Sequence, residues 1–163
     1  MSERMSGWIQ IGGKLPRSQA EQLCDAISSD RVSLNWDDAA FEPKAPEELL
    51  AARKDDRLWL CDNEAAWGEF PDLEQACREL ELAYTRCSDG ASVYDAERVD
   101  WRPGMESPLS RICSNESGTK ILIPEEPVQK ALEALEAGNA PTAKHILQSL
   151  CHSIPPVPPF EIA

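Results

Sequence analysis

The sequence contains few of the groups that usually carry enzyme chemistry. It has only two histidines, no C-x-x-C pair among its six cysteines, and no G-x-x-x-x-G-K-[ST] phosphate loop. A cysteine nucleophile needs a base and an orienting group close by, and a structural zinc site needs closely spaced cysteine or histidine ligands. The sequence therefore identifies no catalytic residue, no metal ligand and no cofactor, and it favours a non-enzymatic protein.

Long apolar runs are also lacking. No stretch approaches the roughly 20 apolar residues that a membrane helix requires. The first residues include the charged pair Glu3 and Arg4, which does not fit the apolar segment of a secretory signal. We therefore expect a cytoplasmic protein with no membrane contact.

A reducing compartment would keep the cysteines as thiols. Cys24 and Cys77 lie on the apolar faces of two predicted helices, where an unpaired cysteine behaves as a small hydrophobic residue. Cys61, Cys87 and Cys113 fall at predicted strand ends or in loops. The sequence predicts that these three are the more accessible thiols.

Basic residues are scarce relative to acidic ones. Sixteen lysines and arginines oppose 29 aspartates and glutamates, which gives a formal net charge of −13. Residues 61–116 hold thirteen of the acids and five of the bases, a net charge of −8. Such a surface repels nucleic-acid phosphates and anionic membranes, so direct binding to either is not expected.

The first two thirds of the chain show two strand–helix–strand patterns. Strands are predicted at residues 8–11 and 32–36, and again at 58–61 and 84–87, with amphipathic helices between the members of each pair. Asp72 and Gln75 have the spacing of a capping box at the start of the second helix. We therefore expect an α+β fold with a ferredoxin-like double β-α-β sheet, helices packed on one face, and a β-hairpin extension near residues 92–102.

Residues 117–163 have a different pattern. A short strand at 120–123 precedes two helices separated by Gly138, which predicts a C-terminal helical hairpin. The proline-rich segment that follows predicts a polyproline II tail, either a ligand for an aromatic groove or, in the preferred interpretation, a segment that buries Val157 and Phe160 across the hairpin. At 163 residues, the sheet region 1–116 and the region 117–163 are expected to pack as one domain.

The uneven negative charge gives the leading functional hypothesis. We expect a regulatory or interaction protein that binds a basic surface of a partner protein, because complementary charge steers association. A sharper version makes it a nucleic-acid mimic, an inhibitor encoded by a mobile element that blocks a nucleic-acid-binding protein. The residues expected to contact the partner are Asp62, Glu64, Trp67, Glu69, Glu74, Glu81 and Asp89.

Two other hypotheses remain open at this point. A small ligand-binding domain or enzyme could use a pocket beside the predicted loop 62–70, with aromatic walls from Trp59 and Trp67 and polar groups from Asp62 and Glu64. Self-association into a homo-oligomer through a strand edge or exposed aromatic side chains is the third.

Overall fold

A computed structural model of the chain describes residues 2–91, 93–114 and 120–163. These residues form an α+β fold with six strands and five α-helices. In chain order the elements are β1 Arg4–Leu15, α1 Ala20–Ser29, α2 Pro46–Ala51, β2 Leu58–Ala66, α3 Pro71–Glu79, β3 Ala83–Ser88, β4 Glu97–Trp101, β5 Leu109–Ile112, α4 Glu125–Glu136, α5 Ala140–Leu150 and β6 Phe160–Ile162.

The sheet is built around β1. Its strand order is β2-β1-β3-β4-β5 with antiparallel neighbours throughout, and β6 pairs in parallel with the last residues of β1. Because β2 and β3 both run antiparallel to β1, they are parallel to each other, and α3 connects them across the central strand.

One face of β1 packs against the helices. Ile9 and Ile11 are fully buried, whereas the alternate residues Trp8 and Gln10 are only partly covered, as expected when successive side chains point to opposite faces. Leu23 of α1 and Leu73 of α3 belong to the same buried core cluster as these isoleucines. The amphipathic stripes read from the sequence therefore cover the sheet as helical periodicity predicts.

The ferredoxin-like topology is not confirmed. That arrangement needs two split β-α-β units, each joining parallel strands across a third strand. Here the β2-α3-β3 connection joins parallel strands across β1, whereas α1 and α2 join β1 to its antiparallel neighbour β2 and form no second unit of this kind.

The predicted strand at residues 32–36 is wrong. Ser33 forms a single antiparallel bridge with Cys61, and the chain adopts positive φ angles at Arg31 and Asp37 on either side. Trp36 folds over Trp59 with the rings edge to face, 5.6 Å between centroids. The segment therefore meets the edge of β2 at a bridge and does not extend into a ladder.

The C-terminal tail does bury Val157 and Phe160, but not across the two C-terminal helices. Gly13 N–H donates to the carbonyl of Pro159 at 2.9 Å, and Arg57 Nε donates to the carbonyl of Val157 at 2.6 Å. The tail therefore docks on β1 and the segment before β2, which is a correction to the predicted location. The predicted boundary between residues 116 and 117, and Ser92 of the predicted hairpin extension, lie outside the described residues.

Helices α4 and α5 pack on each other. Their buried residues are the small side chains of Ala131 and Ala143, while larger apolar side chains stay exposed, namely Val128, Leu132, Leu135 and Leu147. Across residues 2–91, 93–114 and 120–163, no helix has the length and apolarity needed to cross a bilayer.

Candidate functional site

A cleft of about 670 Å³ opens beside the C-terminal half of β2 and the end of α1. We call it the acidic cleft because five carboxylates and two guanidinium groups border it. The carboxylates belong to Asp30, Asp38, Asp62, Glu64 and Glu69, and the guanidinium groups to Arg4 and Arg31. With all seven groups ionised, the lining carries a net charge of −3.

Strand β2 places two of these carboxylates. Asp62 Oδ1 accepts a hydrogen bond from the backbone N–H of Glu64 at 3.0 Å, so the two residues are held in a fixed local geometry. Arg4 Nη1 donates to the backbone carbonyl of Glu64 at 3.0 Å rather than to its carboxylate. Within the described part of the chain, neither carboxylate is in an ion pair, so both remain available to a ligand.

The loop after α1 supplies a third carboxylate from across the cleft. Ser33 Oγ donates to the carbonyl of Asp38 at 3.0 Å, and Asn35 Nδ2 donates to Asp38 Oδ2 at 2.7 Å. A further hydrogen bond, from Asn63 Nδ2 to Asp37 Oδ1 at 2.6 Å, ties this loop to β2. The loop is therefore anchored, and it contributes a defined wall.

Asp30 links the cleft to the start of α3. Its Oδ2 accepts a hydrogen bond from the backbone N–H of Leu73 at 2.7 Å, which satisfies one of the free N–H groups of the first helical turn. The pKa of Asp30 is raised to about 6, chiefly because the carboxyl group is partly buried. The hydrogen bond from Leu73 lowers the pKa by a smaller amount, and the negative charge of Asp72 raises it further. Asp30 therefore changes charge between about pH 5 and pH 7.

This raised pKa predicts a pH effect on stability. A carboxyl whose folded-state pKa exceeds its unfolded value stabilises the fold when protonated, and that contribution is lost as the pH rises through about 6. Asp30→Asn keeps an acceptor for Leu73 without the charge. Between pH 4.5 and 7.5 we expect the wild type to lose about 1 kcal/mol more stability than the variant, after allowing for partial solvent screening. Urea unfolding across this range measures it, and parallel profiles for the two proteins would contradict it.

The turn between β2 and α3 projects a tryptophan. Trp67 and Gly68 have positive φ angles of 58° and 66°, and a Cβ on Gly68 would come within 2.3 Å of the Ser88 Cβ. The turn is further fixed by a hydrogen bond of 2.8 Å from Trp67 N–H to the carbonyl of Glu3. Trp67 is 41% exposed, and Glu69 beside it is also exposed. Because β2 continues to Ala66, the loop consists of residues 67–70 and does not begin at residue 62 as predicted.

A second groove, of about 360 Å³, lies on the other side of this turn. We call it the aromatic groove because Trp67 meets Tyr94 there, with ring centroids 5.5 Å apart and planes at 81°. Glu69 borders both the acidic cleft and the aromatic groove. The polar residues of the aromatic groove are Glu69, Ser88, Asp95, Glu97, Ser110 and Arg111.

Glu74 is not a surface contact residue, contrary to the sequence prediction. It is 9% exposed and its Oε1 lies 2.7 Å from Arg86 Nε. The same carboxylate accepts hydrogen bonds from the Phe70 N–H at 3.2 Å and the Tyr84 hydroxyl at 3.3 Å. Glu74 therefore orders the start of α3 and neutralises a buried arginine.

The remaining predicted residues are not all brought together. Glu81 is exposed after α3 with a positive φ of 55°, and it borders neither groove. Asp89 is exposed after β3, and partial burial raises its pKa. Trp59 stacks on Trp8 with 6.4 Å between centroids and borders neither groove, whereas Asp62 and Glu64 border the acidic cleft and Trp67 borders the aromatic groove.

The cysteines predicted to be accessible are buried. Cys61, Cys87 and Cys113 are 0%, 3% and 3% exposed, and burial raises the pKa of Cys61 to about 11 and that of Cys87 to about 12. A reactive cysteine needs thiolate character and access, so these three are not suited to nucleophilic chemistry. Among the described residues, no group of three or more His, Cys, Asp and Glu side chains is placed to hold a metal ion.

Comparison of the chain with protein-family models, with curated proteins and with solved structures finds no match. Functional inference therefore depends on the two grooves and their chemistry. The sequence prediction includes Asp62, Glu64, Trp67 and Glu69, which border these grooves. It does not include Asp30, Asp38 and Tyr94, which come to the grooves from segments distant in the chain.

Proposed function

We propose that the chain is a non-enzymatic interaction protein that binds a basic segment of a partner protein in the acidic cleft. The supporting observation is the lining itself, in which five acidic residues outnumber two arginines around a space of about 670 Å³. A cleft with a net charge of one sign attracts ligands of the opposite sign. Lysine or arginine side chains of the partner would supply that charge.

The concave shape of the cleft favours a partner that inserts a protruding basic segment over a partner that binds this protein in a broad basic groove. A nucleic-acid mimic has to present negative charge on a convex surface that enters the partner's binding groove, as a duplex does. Here the carboxylates of Asp62, Glu64 and Glu69 border a concave space, and other acids are used internally, such as Glu74 with Arg86. The proposed ligand is therefore a flexible basic peptide.

Peptide binding tests the proposal. A ten-residue peptide that alternates lysine and glycine should bind, and its affinity should fall about tenfold between 20 and 200 mM salt as the charges are screened. Removing the charges with Asp62→Asn, Glu64→Gln and Glu69→Gln should weaken binding by about threefold per carboxylate, and by about 20-fold or more together. Isothermal titration calorimetry measures both effects.

A matched control separates the cleft from the overall charge of the protein. The triple variant Glu21→Gln, Glu106→Gln and Glu136→Gln removes the same number of charges from exposed positions that do not line the cleft. At about 150 mM salt its affinity should stay within about twofold of wild type, because exposed charges that do not border the bound peptide are strongly screened at this ionic strength. Equal losses in the two triple variants, or no binding of the lysine peptide at low salt, would contradict the proposal.

A further inference from the structure

The aromatic groove has two walls at right angles. Trp67 and Tyr94 are 41% and 45% exposed, so each ring keeps a solvent-accessible surface although the pair is in contact at 5.5 Å. Each residue comes from a different loop, one after β2 and one between β3 and β4. Tryptophan and tyrosine are enriched among the residues that contribute most of the binding energy at protein interfaces.

The lining of the groove is net negative, with the acidic residues Glu69, Asp95 and Glu97 against Arg111. One of these acids, Glu97, is paired with the buried Arg86, whose Nη2 lies 2.9 Å from Glu97 Oε2. Arg86 is also paired with Glu74, whose Oε1 lies 2.7 Å from its Nε. Burial opposes ionisation of Glu97, but hydrogen bonds from Ser110 and the charge of Arg86 outweigh it and hold its pKa below the usual range.

Two more carboxylates stand at the rim. Glu69 and Asp95 are exposed and border the groove, and neither is in an ion pair among the residues described. Arg111 also borders the groove, but its Nη2 is held by Asp100 Oδ2 at 2.7 Å. The groove therefore offers aromatic faces and acceptor groups to a cation.

We propose that the aromatic groove binds an arginine side chain of the basic partner segment, with its guanidinium group against Trp67 and Tyr94 and paired with Glu69 or Asp95. This inference rests on the proposed function, since the segment in the acidic cleft would continue past Glu69 into the groove. A planar guanidinium group stacks on aromatic rings, pairs with a carboxylate through two parallel hydrogen bonds, and is more weakly hydrated than an ammonium group. The groove therefore prefers arginine to lysine.

Two peptides of equal charge test this preference. A peptide alternating arginine and glycine should bind about fivefold more tightly than the lysine–glycine peptide of the same length, as expected for cation–π contacts at a partly exposed site. Trp67→Leu and Tyr94→Leu should each reduce this ratio to below about twofold and leave the lysine peptide's affinity nearly unchanged. Trp36→Leu is the matched control, because Trp36 is 40% exposed and lies outside the groove; it should retain the fivefold ratio.

The outcomes distinguish the two proposals. An arginine-to-lysine ratio near one, or a ratio that survives both groove variants, overturns the arginine site and leaves the acidic cleft standing if the lysine peptide still binds. Failure of both peptides to bind overturns the proposed function and the arginine site together. An NMR shift of the Trp67 indole N–H that appears with the arginine peptide and is smaller with the lysine peptide would support direct contact.

Discussion

Asp100→Asn is expected to destabilise the fold by about 3 to 5 kcal/mol. Asp100 is fully buried on β4, and three arginines approach its carboxylate. Arg98 Nε and Arg111 Nη2 lie 2.9 Å and 2.7 Å from Oδ2, and Arg102 Nη2 lies 3.5 Å from Oδ1. Removing one partner of a buried ion pair leaves uncompensated charge in a poorly solvated site, which costs several kcal/mol.

The carboxylate of Asp100 also makes the free energy of unfolding depend on pH. Burial would raise the pKa of Asp100, but hydrogen bonds from Arg98, Thr85 and Arg111 outweigh it and hold the pKa below its usual range. The stabilisation is therefore present above the unfolded pKa of about 4 and is lost as the pH falls through the folded value. The difference between wild type and Asp100→Asn should be largest near pH 7 and should shrink towards pH 3.

Denaturant unfolding at these two pH values measures the effect. Asp25→Asn removes the same charge from an exposed position on α1 and should change stability by less than about 0.5 kcal/mol. Thr85→Val removes one hydrogen bond to Asp100, of 2.6 Å, and should cost about 1 kcal/mol. A loss below about 1 kcal/mol for Asp100→Asn would contradict the structural role assigned to this cluster.

The arginines around Asp100 also show how the charge composition of a segment can differ from its surface charge. With five basic and thirteen acidic residues, the segment 61–116 was expected to present mostly unpaired carboxylates at the surface. Those five arginines are not spread over the surface: Arg86 and Arg102 are buried, and three of the five contact Asp100. Four acids of this region that are in no such ion pair, Asp62, Glu64, Glu69 and Asp95, border the two grooves, whereas others, such as Glu81, lie away from both, and counting charges along the chain does not separate the two sets.

Helical periodicity was the most reliable sequence signal. The stripe containing Leu23 and Ile27 and the stripe containing Leu73 and Cys77 both face the core, because an amphipathic helix can bury its apolar side in few other ways. The start of α3 was less predictable. The expected Asp72–Gln75 capping box is not formed, and the N–H of Leu73 is instead satisfied by Asp30 from the end of α1.

Long-range contacts account for most of what the sequence did not predict at the candidate site. Trp67 could be recognised locally, because a tryptophan next to glycine between a strand and a helix favours exposure. Tyr94 could not, since its pairing with Trp67 depends on how the β3–β4 connection returns over the turn. Asp38 reaches the cleft through hydrogen bonds to Ser33 and Asn35, and no pattern of period two or 3.6 encodes that placement.

The second large loss of stability is expected where the C-terminal tail docks on β1. Gly12→Ala is expected to destabilise the fold by about 3 kcal/mol or more, because an added Cβ would lie 1.7 Å from the carbonyl oxygen of Pro158 and 2.8 Å from Val157 Cγ1. A backbone oxygen cannot rotate away as a side chain can, so the tail must shift. Its displacement would also weaken the burial of Phe160, a fully buried side chain.

A truncation provides the control for this clash. In a chain shortened after residue 153, the steric partner of the new Cβ is gone, and alanine is at least as well accepted as glycine within a strand. Gly12→Ala should then cost less than about 1 kcal/mol relative to the shortened parent, although that parent is itself less stable without Phe160. This non-additivity is the signature of two groups in direct contact. Equal costs in the full and shortened chains would place the clash elsewhere in β1 and contradict the docking of the tail against Gly12.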